Sequence, residues 1–188
     1  MTQAVAPATS VTRPWLIRAA VVIALTLLLA ASARAQVPFW PVPMTLQTLA
    51  VLLIAGFAGP GIAGAAMLAY LLEGAAGMPV FAGTPMHGIG LAYLAGPTGG
   101  YLAGMLVASV VVGTLVRRSG GHVLKIGGAM LLGIAIVYAA GAAWLAQFVG
   151  ADRALEAGVL PFLLGDAVKA TLATALVLAA GRGARAAE

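Results

Sequence analysis

Residues 160–180 read LPFLLGDAVKATLATALVLAA, an apolar segment of helix length that contains two full charges, Asp166 and Lys169. A lone Asp or Lys near the centre of a membrane helix costs about 2.5 to 3.5 kcal/mol, so neither side chain is expected to face lipid. At a spacing of i, i+3 the two side chains share one helical face and present an acceptor beside a donor. The segment therefore predicts either an ion pair that fixes helix packing or one wall of a polar binding site.

The composition indicates a polytopic membrane protein that lies in the lipid bilayer. Of the 188 residues, 62% are hydrophobic and only 8% are charged, whereas globular proteins contain about 25% charged residues. The net charge of +5 is spread over the ends of apolar segments, which is typical of membrane topology, and no nucleic-acid partner is expected. Because there is no cysteine and the two histidines are far apart in sequence, no disulfide or metal site is expected.

The N-terminal region contains a tail and a first apolar run. Residues 1–14 are polar, contain two prolines and are predicted to be a disordered tail. The run 15–33 has basic residues at its start and Ala-Arg-Ala at its end. This pattern fits a retained membrane helix or a cleavable signal peptide, and the sequence leaves both open. In a retained helix, Ala20 and Ala24 would form notches that another helix can approach closely.

Proline and glycine mark two breaks after the first apolar run, one in the connector 36–44 and one at residues 59–61. The connector 36–44, QVPFWPVPM, contains three prolines and is predicted to be extended. Gln47 follows in the first turn of the next helix, as a ligand contact or a headgroup-region side chain. Residues 45–76 would form one helix of about 48 Å, far longer than a hydrocarbon core of about 30 Å requires. The break Gly59-Pro60-Gly61 therefore predicts two short spans.

Two further segments differ from the spans around them. Residues 77–98 contain no charge, are rich in Gly and Pro, and carry His87 and Tyr93. An apolar loop of this length is expected to pack down as a lid or binding loop. The segment around Asp152 and Glu156 is predicted to be a charged, solvated loop.

The positive residues select a topology. Six spans with a cytoplasmic N-terminus place most positive residues inside, as the positive-inside rule requires; these are Arg13, Arg18, Arg117, Arg118, Lys125, Arg182 and Arg185. Treating 45–76 as one span would move Arg117, Arg118 and Lys125 outside. The six-span topology brings Gln47, the loop 77–98 and the outer half of the last helix to the extracytoplasmic face, which predicts a pocket open to that side.

Four motifs in this chain resemble those of the BioY family, the biotin-specific substrate-capture (S) components of energy-coupling-factor transporters. They are Val37-Pro-x-x-Pro-Val-Pro-x-Thr-x-Gln-Thr48, Gly77-Met-Pro-Val-Phe-Ala-Gly83, Gly96-Pro-Thr-Gly-Gly-Tyr101 and Gly165-Asp-x-x-Lys169. The resemblance implies an all-α, six-transmembrane-helix bundle over residues 15–181. It also implies a multi-pass protein of the bacterial inner membrane with both termini cytoplasmic, the C-terminal tail being residues 182–188.

The resemblance also implies a function and site residues. The chain is expected to bind biotin from outside, without a cofactor, for import energised by a transmembrane T-component and two cytosolic ABC-type ATPases. Asp166 would accept from a ureido N–H and Lys169 would donate to the ligand, with His87 and Tyr93 as loop contacts. Relatives often have asparagine at the position of His87. Ala20 and Ala24 would dock the T-component.

Other functions are weighed against biotin capture. The ligand could be another small vitamin-like molecule. An intramembrane enzyme could use Asp166 or Glu73 as a general acid or base, but the sequence has no second catalytic carboxylate, nucleophilic serine motif or H-E-x-x-H. A channel subunit would need a continuous polar stripe, which is absent from the sequence. The sequence leaves the role of Glu73 and homo-oligomer formation open.

Overall fold

The computed structural model describes residues 14–38 and 40–186, and its long elements are all α-helices. The predicted all-α class is confirmed. Five helical stretches in the described part are long and apolar enough to cross a membrane. The elements are α1 (Pro14–Arg34), β1 (Gln36–Val37), β2 (Met44–Thr45), α2 (Gln47–Ala75), α3 (Gly90–Leu94), α4 (Gly99–Arg118), α5 (Val123–Val149), α6 (Ala151–Gly158), a 3-10 turn (Leu160–Phe162) and α7 (Leu163–Ala186).

Helix α2 is folded back on itself at the predicted Gly-Pro-Gly break. Gly59 has φ 77° and ψ 174°, a conformation that is essentially restricted to glycine. In a straight helix residues 47 and 70 would lie about 35 Å apart, yet the Gln47 side chain lies close to the Tyr70 hydroxyl. The two arms, 47–58 and 60–75, are therefore antiparallel. The number of membrane crossings and the side on which the termini lie stay predictions.

The apex of the α2 hairpin packs on the C-terminal part of α4. The Arg117 side chain covers Gly59, and a Cβ at Gly113 would lie 2.7 Å from the backbone nitrogen of Pro60. The other ends of both arms lie beside the N-terminal part of α4. Small residues thus let the backbones of α2 and α4 come into contact. The van der Waals packing that results stabilises the pair, because the hydrophobic effect contributes little to helix association in lipid.

Helices α4 and α5 form a second close antiparallel pair. A Cβ at Gly100 would lie 2.2 Å from the Cβ of Trp144, and one at Gly104 would lie 2.9 Å from the Cα of Val137. By contrast, α1 buries only Thr26, Leu29 and Ala33 and leaves most of its surface exposed. Helix α1 is therefore the element most available to a partner.

The connector and the uncharged loop close one end of the bundle. The connector starts and ends in a short antiparallel ladder that pairs Gln36 with Thr45, and it is therefore a hairpin as well as an extended segment. In the loop 77–98, Phe81 is 1% exposed and lies between Tyr70, at 5.3 Å between ring centroids, and Tyr93, at 4.8 Å. The expectation that this loop packs down is confirmed.

One predicted loop is a helix in the structure. Asp152 and Glu156 lie on helix α6, because the sequence ADRALEAG is rich in helix formers and has an acidic residue, Asp152, in its first turn, where it favours a helix N-terminus. Helix α7 continues to Ala186, since no proline interrupts residues 163–186, and the cytoplasmic location of the segment from residue 182 stays a prediction. The predicted N-terminal tail lies outside the described residues up to residue 13, and Pro14 already starts α1.

Candidate functional site

Asp166 and Lys169 form a buried ion pair near the start of α7. Lys169 Nζ lies 2.7 Å from Asp166 Oδ1, and the two residues are 8% and 4% exposed, respectively. Lys169 Nζ also donates to the Thr45 carbonyl oxygen at 2.7 Å. Tyr138 on α5 donates its hydroxyl to Asp166 Oδ2 at 2.6 Å. Each charge is therefore satisfied inside the protein, as the cost of exposing it to lipid requires.

The local sequence explains why these charges can be placed here. Asp166 occupies the first turn of α7, where the helix dipole favours a negative charge. Gly165 faces the connector, and a Cβ there would lie 3.3 Å from Met44 Sδ. The missing side chain at Gly165 lets β2 come close to α7, which brings the Thr45 carbonyl within reach of Lys169.

The ion pair lies in the wall of a partly open cavity, whose space not filled by atoms is about 570 Å³ when the open space at its mouth is included. Both charged residues line it together with aromatic, apolar and small polar side chains from the connector, α2, the loop and α3, α4, α5 and the 3-10 turn. The lining includes Val42, Pro43, Met44, Thr45, Gln47, Thr48, Ala82, Tyr93, Thr98, Tyr101, Leu102, Met105, Val137, Tyr138 and Phe162. Four of the five predicted ligand contacts, Asp166, Lys169, Tyr93 and Gln47, thus meet around one space.

Gln47 presents an unpaired hydrogen-bond donor in this wall. The residue is 3% exposed, and among the described residues its Nε2 is a buried side-chain atom without a hydrogen-bond partner. The Tyr70 hydroxyl, which donates its proton to the Val80 carbonyl at 3.0 Å, lies near the Gln47 amide but makes no hydrogen bond of normal geometry with Nε2. A ligand that offers an acceptor to this amide would satisfy it and would therefore bind more tightly.

The fifth predicted contact, His87, does not reach the cavity. The side chain is exposed, and its ring packs over Gly83, where a Cβ would lie 2.4 Å from His87 Nδ1. Gly83 and Gly88 have φ values of 72° and 95° and turn this part of the loop away from the bundle. Ala82 lines the cavity from the loop instead.

Tyr93 holds the loop against the cavity. Its hydroxyl donates to the Ala82 carbonyl at 2.8 Å, and its ring stacks on Phe81. Burial raises the pKa of the Tyr93 hydroxyl, which therefore remains protonated and able to donate. Tyr93 thus lines the cavity mainly with its ring, since its proton is already used.

Sequence reasoning missed two partners of the ion pair. Tyr138 is a hydroxyl-bearing residue within an otherwise apolar span, and by the same logic that singles out Asp166 it could have been recognised as a buried polar group. Thr45 acts through its backbone carbonyl, for which no side-chain signal exists. Conversely, Glu73 does not line the cavity, and it is partly exposed near the end of α2.

The remaining expectations concern partners and metals. Ala20 and Ala24 are both exposed on α1. Within residues 14–38 and 40–186, no group of three or more His, Cys, Asp or Glu side chains is arranged to hold a metal ion.

Comparisons with known proteins agree with this fold. A model described as the BioY family matches residues 1–186. The "Probable biotin transporter BioY" of Pyrococcus horikoshii is 40% identical over 147 residues, which cover 78% of this chain and 84% of that protein. The "Biotin transporter BioY" of Thermotoga maritima is 35% identical over 154 residues, 81% of this chain and 89% of the relative.

A solved structure supports the same conclusion at the level of architecture. The crystal structure at 2.1 Å of the S-component for biotin from an ECF-type ABC transporter superposes with a TM-score of 0.79. The sequence identity is 22%, and the match covers 93% of this chain and 95% of the other. The chain therefore has the S-component fold.

Proposed function

The chain belongs to the BioY family, and from this premise we propose that it is the substrate-capture subunit of a biotin importer, with biotin bound in the cavity around Asp166 and Lys169. The observation that carries the proposal is a buried, fully paired Asp–Lys couple that lines a cavity. A pair needed only for helix packing would not have to line a cavity. Relatives named biotin transporters support transport and not catalysis.

The hydrogen-bonding groups of the cavity match the ureido ring of biotin, which has two N–H donors and one carbonyl acceptor. Each Asp166 oxygen accepts one hydrogen bond from within the protein and retains capacity for another. Lys169 uses two of its three N–H donors. We therefore assign the ring N–H groups to Asp166 and the ring carbonyl to the third Lys169 proton and to Gln47 Nε2.

The rest of the ligand is accommodated by apolar surface. Leu102, Met105 and Phe162 line the cavity beside the polar groups and suit the sulfur-containing ring. A ligand without the ureido N–H groups would cover the Asp166 carboxylate without donating hydrogen bonds to it. A buried acceptor that is left without a donor costs about 1 to 3 kcal/mol. This cost supports selection for biotin over other small vitamins.

An ATP-driven import step requires partners, because the sequence contains no nucleotide-binding motif of the Walker type. We assign energy coupling to a transmembrane T-component and two cytosolic ATPases, with the chain a multi-pass protein of the inner membrane and both termini cytoplasmic. Ala20 and Ala24 are candidates for the docking surface, because they are exposed on the least buried helix. Replacing both by leucine is expected to reduce co-purification of the T-component while biotin binding is retained.

The central experiment is equilibrium binding of radiolabelled biotin to the purified protein in detergent. Wild type is expected to bind one biotin per chain, with competition by unlabelled biotin but not by thiamine or riboflavin. Asp166→Asn and Lys169→Met are each expected to weaken binding by about 10- to 150-fold, the equivalent of a hydrogen bond to a charged group at about 1.5 to 3 kcal/mol. Asp152→Asn, an exposed carboxylate on α6, is the matched control and should bind as wild type.

The proposal fails if wild type shows no saturable biotin binding, or if Asp166→Asn and Lys169→Met both bind normally. Competition by thiamine or riboflavin at concentrations similar to biotin would assign the protein to a different vitamin. The folded state of each variant is checked by gel filtration, so that a loss of binding is not a loss of structure.

A further inference from the structure

A second concavity lies on the outer surface between α5 and α7, separate from the biotin cavity. It is open to the outside, and its space not filled by atoms is about 960 Å³ when the open space at its mouth is included. Leu124, Gly128 and Leu131 line it from α5, and Thr174, Ala175 and Leu178 from α7. None of its lining residues belongs to the cavity around Asp166. We call this concavity the α5–α7 groove.

The walls of the α5–α7 groove offer an apolar surface. The hydroxyls of Thr171 and Thr174 are bonded to carbonyls of their own helix, to Ala167 at 2.9 Å and Ala170 at 2.7 Å, and they therefore present their methyl groups. A Cβ at Gly128 would meet nothing within 4 Å, so this glycine leaves an open notch. The groove thus suits an occupant that makes van der Waals contacts and needs no hydrogen bonds from the walls.

The length of the groove matches one leaflet of a bilayer. Residues 124–131 and 170–178 rise by about 10 to 12 Å along their helices, compared with about 15 Å for half of a hydrocarbon core. A single acyl chain entering from one headgroup layer would lie along this distance. A transmembrane helix of a partner would extend well beyond it.

The groove ends at the basic end of the bundle. Lys125 is exposed on α5, one turn before Gly128. Exposed Arg117 and Arg118 end α4 on the same side. Among the described residues, every acidic side chain lies at or toward the opposite end, on the second arm of α2, on α6 or in the first turn of α7.

From this combination we propose that the α5–α7 groove is a binding site for an anionic phospholipid. One acyl chain lies in the groove along Gly128, and the phosphate lies at the groove mouth near Lys125. Basic residues at the end of an apolar groove between membrane helices are the arrangement that recognises anionic headgroups. Charge complementarity selects the headgroup, and the glycine notch holds the chain.

The test is native mass spectrometry of the intact protein after exchange into equal amounts of phosphatidylglycerol and phosphatidylcholine. Wild type is expected to retain one phosphatidylglycerol, and Gly128→Leu, which fills the notch, should lose retention of both lipids. Lys125→Gln should retain lipid but lose about fivefold in preference for phosphatidylglycerol, the contribution expected of one basic residue. Gly61→Leu, at another glycine whose Cβ would meet nothing within 4 Å, is the matched control.

Biotin binding by each variant verifies that it is folded, and the lipid readout does not depend on biotin. Equal retention of the two lipids by wild type, or wild-type retention by Gly128→Leu, overturns the proposal. A protein dimer that Gly128→Leu abolishes would assign the groove to a second copy of the chain and would also overturn it. If Gly128→Leu does not fold, the test rests on Lys125→Gln: a loss of headgroup preference supports the proposal, and an unchanged preference overturns it.

Discussion

Replacing Lys169 by methionine removes the cation from a carboxylate that is enclosed by three helices and the connector. Lys169 Nζ makes two hydrogen bonds of 2.7 Å, to Asp166 Oδ1 and to the Thr45 carbonyl. Breaking a buried ion pair by removing one partner costs about 3 to 5 kcal/mol, because the other charge stays behind in a low-dielectric site. Tyr138 still donates to Asp166 Oδ2, and we therefore expect a loss near the lower limit, about 3 kcal/mol.

The double variant Asp166→Asn with Lys169→Met separates the ion pair from general packing. It removes both charges at once, so no uncompensated ion remains in the bundle. We expect the free energy of unfolding to be higher for the double variant than for either single variant. A neutral pair leaves no unpaired buried charge and therefore avoids the desolvation penalty. The single variants and the double variant together form a mutant cycle that reports the coupling directly.

The assay is reversible unfolding in mixed micelles with increasing sodium dodecyl sulfate, performed without biotin. The free energy of unfolding is extrapolated to zero denaturing detergent for each variant. Lys125→Met, at the only other lysine in the sequence, is the control; its side chain is exposed, and a change within about 0.5 kcal/mol is expected. If the two single losses simply add in the double variant, the two charges are not coupled and the proposed role of the pair is wrong.

Three further changes probe the cavity and one probes the hairpin. Gln47→Met should weaken biotin binding about tenfold without lowering the stability of the empty protein, because it removes a buried donor that has no partner; a drop in stability would contradict this. Tyr138→Phe should also weaken binding about tenfold, since Asp166 Oδ2 loses its 2.6 Å donor, and unchanged affinity would remove Tyr138 from the site. His87→Ala should change affinity by less than about twofold, as expected for an exposed side chain outside the cavity. Gly59→Ala should destabilise the protein by about 1 to 3 kcal/mol because of its φ of 77°, whereas Gly61→Ala should not; equal effects in an unfolding titration would refute the strain at Gly59.

The broad architecture could be predicted because membrane helices obey local rules. Length and hydropathy identify the spans, and Gly59 with Pro60 marks the fold in α2 because no other residue pair in that stretch breaks a helix as strongly. The charged segment at 151–158 was predicted as a loop because charge suggests solvent. The structure has a helix there, since charge alone does not oppose helix formation and an acidic first turn favours it.

The site was predictable where a residue violates the rules for its surroundings. Asp166 and Lys169 are conspicuous because charge is costly in lipid, and Gln47 because it begins an apolar helix. His87 was assigned to the cavity from its position in the loop, yet backbone turns at Gly83 and Gly88 carry it outward. Loop direction depends on dihedral angles that side-chain chemistry does not reveal.

Composition and local pattern were enough to identify a bundle of membrane helices that contains one pair of charges in need of polar partners, because hydrocarbon restricts both backbone and side chains at every position. The groups that supply those partners became known from the packing of the helices. Tyr138 is 28 residues from Asp166, to which it donates, and the Thr45 carbonyl is 124 residues from Lys169, from which it accepts. These groups meet only because glycines let α2, the connector, α5 and α7 pack closely. Such long-range contacts depend on how helices pack together, which composition and spacing within one helix do not specify.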